Sequence, residues 1–76
     1  MSEIGDYIYM GMGWCDKKQY VCISVGYKID YAVKKALQFE EASLGVVVFE
    51  SINKVRVGNL EKETSFSRSE LKEYGA

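Results

Sequence analysis

Four groups of residues in this chain have the types from which chemistry is made: Gly11-Met12-Gly13, the thiols Cys15 and Cys22, the adjacent carboxylates Glu40 and Glu41, and the tyrosines Tyr7, Tyr9 and Tyr20. A phosphate-cradling loop needs a third glycine, or a Gly-Lys-Ser/Thr run, opening a helix; neither follows Gly13, and the segment alternates as a strand. Two cysteines do not complete a structural zinc site, and the absence of histidine removes the commonest general base and metal ligand. Drawn on a hairpin, Cys15 and Cys22 share a face but are offset diagonally, at a spacing usually too long for a disulfide; they read as small filler residues. Glu40 and Glu41 point about 100° apart on a helix, and Glu50, Glu61 and Glu63 fall at strand ends where solvated charge is usual. The expectation is a non-enzymatic protein with no catalytic residue, no metal and no cofactor.

The elements that would position these groups follow from periodicity. Residues 7–14 alternate, with Ile8, Met10, Met12 and Trp14 opposed to Tyr7, Tyr9, Gly11 and Gly13. After the polar loop Asp16-Lys17-Lys18-Gln19 the alternation resumes over 20–27, with Val21, Ile23, Val25 and Tyr27 opposed to Tyr20, Cys22, Ser24 and Gly26, which predicts an antiparallel hairpin. Asp30 is placed to cap a helix over 32–42 that Gly45 stops, with Ala32, Val33, Ala36, Leu37, Phe39 and Leu44 on the core-facing arc. Glu40 falls inside that arc. A buried carboxylate needs a partner; the alternative, preferred on the sequence alone, is that the helix frays after Phe39 and releases Glu40 to water. Residues 45–50 are apolar on both faces and predict a central strand; Ser51-Ile52-Asn53 reads as a turn and 54–60 as a last, edge strand.

The predicted architecture is α+β: a two-layer ββαββ domain over residues 1–60, with a four-stranded, mainly antiparallel sheet and one helix packed on one face. Residues 61–76 read as a polar tail or, through the capping-box spacing of Ser67 and Glu70, as a short helix over 68–74 with Phe66, Leu71 and Tyr74 as its apolar contacts.

Composition narrows the partner. Ten basic and eleven acidic residues leave a net charge of −1. Nucleic acid usually demands a clustered basic excess, so it is disfavoured. No apolar run approaches the roughly 20 residues of a membrane span, and the start lacks the features of a signal peptide, so a cytoplasmic protein without membrane contact is expected. What remains is the tyrosine-and-glycine side of the hairpin. With the helix on the greasy side, Tyr7, Tyr9 and Tyr20 form an exposed aromatic patch over a shallow glycine floor, with Lys17 and Lys18 at its rim. These five residues are the candidate partner-binding site. The occupant is a larger protein or complex, or a second copy in a homodimer; the alternative is that the C-terminal segment folds back over this face. Base-stacking on sheet aromatics, as in RNA-recognition domains, is a further alternative, but the basic aromatic run that those sheets use is absent.

Met12-Gly13-Trp14, the charged turn Asp16-Lys17-Lys18, and the strand, helix and hairpin that follow through Val57 resemble the layout of small phage-encoded inhibitors, among them anti-CRISPR proteins and phage antitoxins. The likeness spans residues 7–60, is one of size and element order, and carries no residue assignment. It implies stoichiometric binding to a host nuclease or defence complex without turnover. The near-neutral charge departs from the strongly acidic, DNA-mimicking members.

Overall fold

The computed structural model describes residues 7–58 and 62–76. Residues 1–6 and 59–61, the last two of the expected strand over 54–60 together with Glu61, lie outside the described residues. Strand β1 (Tyr7–Cys15) turns back into β2 (Gln19–Gly26) through a bend in which Asp16 and Lys17 both take left-handed backbone, at φ 56° and 61°. The Lys18 N–H closes the bend on the Cys15 carbonyl at 3.0 Å. Helix α1 (Ile29–Ala42) follows, then β3 (Val47–Arg56), β4 (Lys62–Ser67) and a C-terminal 3₁₀ helix (Arg68–Tyr74). The four strands form one antiparallel sheet in the order β2-β1-β3-β4, with α1 packed on it. The protein is a two-layer α+β fold.

Of the apolar run 45–50, residues 47–50 do lie centrally, in β3 between β1 and β4, while Gly45 and Val46 precede the strand. It does not end at Ser51. The expected turn at Ser51-Ile52-Asn53 is the middle of β3, because Glu50 is an extra residue against β1: Met12 pairs with Ser51 and Gly13 with Phe49. This bulge resets the alternation, so one long strand reads as two. The outer strand comes instead from the polar stretch expected to be a tail. Its Lys62 and Glu63 are the charged kind of side chain that keeps a sheet edge from pairing further. Ser67 and Glu70 form the capping box, the Ser67 N–H donating to the Glu70 carboxylate at 2.8 Å, and Leu71 of the 3₁₀ helix is buried in the core.

Helix α1 starts one residue before Asp30 rather than after it. Lys28 occupies the N-cap position with no side-chain bond, while Asp30, in the first turn, accepts from the Tyr31 N–H at 2.7 Å. At the other end Ser43 holds the exit: its hydroxyl donates to the Glu40 carbonyl at 2.8 Å and accepts from the Val47 N–H at 3.0 Å. Leu44 then takes φ 56° and is 91% exposed, so it and Phe39, 47% exposed, leave the core-facing arc.

The helix lies on the glycine side of the hairpin, not on the Ile8-Met10-Met12-Trp14 side. A Cβ on Gly11 would meet the Ser24 Oγ at 2.1 Å and the Ala36 Cβ at 3.1 Å; one on Gly26 would meet the Tyr31 ring at 2.7 Å. Missing side chains on the floor and the small Ala32 and Ala36 on the helix let the two layers close together. Ser24 is buried between them and donates to the Ala32 carbonyl at 2.8 Å. Val33, Phe49, Ile52 and Leu71 complete this core, with Tyr9, Ile29, Phe66 and Tyr74 packed around it.

Candidate functional site

The five residues expected to form one surface are divided between two. Tyr9 packs against the core on the helix side. Tyr7, at the same phase of β1, lies with the Lys54 ammonium 4.4 Å and the Arg56 guanidinium 5.1 Å from its ring centroid, and its hydroxyl accepts from Arg56 at 3.0 Å. Arg56 also bridges to Glu63 at 3.1 Å. Tyr20 is on the opposite side of the sheet, and Lys17 and Lys18 are exposed at the bend nearby.

The cause is a second bulge. Gly11 pairs with Ser24 but Met12 pairs with Cys22, which makes Ile23 the extra residue and reverses the phase of β2 before it. Tyr20 and Cys22 therefore share a side with Trp14 and Met12, while Ser24 and Gly26 remain under the helix. The same reversal separates the cysteines: Cys22 is exposed on the outer side, Cys15 is half-buried at the helix-side phase of β1, and both are free thiols. An unbroken alternation gives no sign of either bulge. The readable signal was the pair Gly11 and Gly26 matched to Ala32 and Ala36, a small-on-small contact that places the helix on the glycines.

The face that the helices leave uncovered is the greasy one, with Ser51 and Val55 of β3 buried within it. Among the described residues both helices pack on the other side, and the outer side presents Ile8, Met10, Met12 and Trp14 from β1, Tyr20, Cys22 and Val25 from β2, and Val48 from β3. Trp14, Tyr20 and Val25 are 39%, 45% and 52% exposed. The two rings stack at 5.0 Å with a 53° tilt; the Tyr20 hydroxyl reaches the Ser51 Oγ at 3.1 Å, and the indole N–H donates to the Glu50 carboxylate. Of the charged residues in the described strands, Glu50 and Lys62 alone belong to this side. Towards β4 the surface turns polar, where Ser65 donates to Asn53 at 3.0 Å. At the far end of the hairpin an apolar hollow of about 620 Å³ opens between Ile8, Val25, Gly26, Tyr27, Lys28, Tyr31 and Val57. A charge-poor centre with aromatics and methionine beside a polar margin has the composition of a protein interface.

Glu40 has a structural assignment. The helix continues past Phe39, and the carboxylate is not released to water: it accepts from both Arg68 guanidinium nitrogens, at 2.8 and 3.0 Å, and from the Phe49 N–H at 3.0 Å. Arg68 also donates to the Phe49 carbonyl at 3.1 Å. The β3–β4 ladder ends at Ser51 and Ser67, so two side chains satisfy the backbone of Phe49 beyond it. The bond from Arg68 is the largest influence on the Glu40 carboxyl and holds its pKa below the usual value against the opposing effect of burial. This cluster joins α1, β3 and the 3₁₀ helix.

Among the described residues no three His, Cys, Asp or Glu side chains converge as a metal site, and no helix is long and apolar enough to cross a membrane. No protein-family model matches the chain, and neither a curated protein nor a solved structure matches it.

Proposed function

We propose that the protein works by docking: it is a small non-enzymatic module that occupies another polypeptide's surface with the outer face of its sheet. The observation that carries this reading is the apolar outer face, on which Trp14, Tyr20, Val25 and Val48 are exposed beside the partly buried Met10 and Met12 and which is nearly free of charge. Tyr20 and the Lys17-Lys18 bend belong to this docking surface; Tyr7 and Tyr9, on the helix side, do not. Occupancy without turnover is also what the likeness to phage-encoded inhibitors implies, with a nuclease or defence complex as the larger target.

The test is capture by the tagged protein from nuclease-treated bacterial lysate, with Tyr20→Ala and Tyr9→Ala in parallel. Tyr20→Ala loses the bound polypeptide while keeping the native melt. Tyr9→Ala lowers the melt because it removes a ring from the core. Capture that survives Tyr20→Ala and a charge at Met12 alike refutes the face.

A further inference from the structure

Resting on the docking reading, we infer that in the free protein the outer face is occupied by a second copy of this chain, which a larger target would displace, in a two-fold dimer that seats the Trp14–Tyr20 pair of each copy in the apolar hollow of the other. Three observations carry it. The first is area: with about 150–250 Å² for a buried aromatic side chain, the exposures of Trp14, Tyr20, Val25 and Val48, of Tyr27 and Val57 at the hollow, and of the partly buried Ile8, Met10 and Met12 beside them give roughly 700 Å² of largely apolar surface. A standard stable interface buries about 800 Å² per partner.

The second is self-complementarity. The largest side chains of the face, Trp14 and Tyr20, stand at one end of the β1–β2 ladder, and the hollow of about 620 Å³ at Ile8, Val25 and Val57 stands at the other. Six residues of β1 separate Trp14 from Ile8, about 20 Å along a strand. A two-fold axis through the middle of β1, near Met10 and Met12, brings each aromatic pair over the other copy's hollow. Contact of this isologous kind uses one patch twice and closes at two subunits. Lys28 lines the same hollow, and an ammonium near an aromatic face adds attraction.

The third is charge. A face meeting its own copy must not repel itself, and the centre of this one carries only Glu50, already engaged by the Trp14 indole. There is no charge pattern there to select a differently charged partner. The Met10 and Met12 side chains at the axis adapt readily to one another.

The experiment is sedimentation equilibrium across a dilution series from millimolar to sub-micromolar, on the full chain, with Val25→Glu, Tyr20→Lys and their equimolar mixture. Both positions are half-exposed in the monomer, and circular dichroism and the melt at high dilution check that each variant is folded. Dimeric wild type is expected, with each variant raising the dimer dissociation constant more than about 100-fold, because two charges are buried unpaired per dimer. Mixing restores the dimer: one hollow then pairs the introduced glutamate with the introduced lysine, and the other keeps the native contact. Wild type that is monomeric throughout overturns the inference, and the docking reading then stands only if Tyr20→Ala abolishes capture of a larger protein. A dimer indifferent to both variants also overturns it. If oxidation links such a dimer through Cys22, the β2 edges meet instead of the faces, since packed sheets lie about 10 Å apart and a disulfide needs Cα atoms within about 7 Å.

Discussion

Removing the Glu40 carboxylate charge with Glu40→Gln tests how the three elements of the helix side are held together. In the native protein Glu40 accepts two bonds from Arg68 and one from the Phe49 N–H, with side-chain exposures of 22% for Glu40 and 40% for Arg68. Hydrogen bonds to charged groups are worth about 1.5–3 kcal/mol when buried, and exposed ion pairs about 0–1 kcal/mol. Partial burial and solvent screening at Arg68 place the loss at about 2 kcal/mol, which for a domain of this size lowers Tm by roughly 10 °C. The pH dependence has a definite sign. The folded pKa lies below its ordinary value of 4.5, so the extra stability is fully present above the unfolded pKa and is lost as pH falls through the lowered folded value. Urea unfolding of wild type and Glu40→Gln should therefore show the full gap at neutral pH and a closing gap below about pH 4. A double-mutant cycle with Arg68→Ala should return a coupling of about 1 kcal/mol. A gap that stays constant from neutral pH to about pH 3, or additive single variants, would refute the assignment.

Other substitutions examine the close approach of helix and sheet and the C-terminal cap. Gly11→Ala should cost about 3 kcal/mol, since the new Cβ would strike a hydroxyl held by the Ala32 carbonyl. Gly26→Ala should cost less, because the Tyr31 ring it meets is half-exposed and free to swing, and Gly58→Ala, with nothing within 4 Å, should be neutral; equal costs in denaturant melts would contradict the packing. Ser67→Ala should cost about 1 kcal/mol by removing the capping hydroxyl, and hydrogen exchange at the Glu70 amide should rise with it; no change in either would mean that Leu71 burial alone holds the 3₁₀ helix.

The class of fold was legible because the apolar patterning marks β1, β2 and α1 as elements even where the bulge at Ile23 breaks the phase within β2, and the capping-box spacing located the 3₁₀ helix at Arg68–Tyr74. The strand after Val57 was misplaced for a physical reason. An edge strand needs only one buried side, and Lys62–Ser67 meets that need with Phe66 alone, so its polar composition reads as a tail. The site was less legible than the fold. β1 shows clearly which residues share a side, but not which side a helix will choose, and apolar content argued for the wrong one. Steric fit decided it: Gly11, Gly26, Ala32 and Ala36 allow an approach that Met10 and Met12 forbid. Bulges at Ile23 and Glu50 then carried Tyr20 across the sheet and joined two apparent strands. Arg68 as the partner of Glu40 depends on a contact 28 residues distant in sequence, beyond the reach of periodicity.

Trp14 is the single tryptophan of the chain and lies on the outer face at 39% exposure. Its emission, followed while the captured polypeptide or added copies of the chain are titrated against the dilute protein, reports directly on whether that face is occupied. Docking through the outer face requires a blue shift and protection from acrylamide quenching that saturate with complex formation and disappear in Tyr20→Ala. A complex that forms with the Trp14 emission and quenching unchanged would place the contact elsewhere on the molecule and contradict the account.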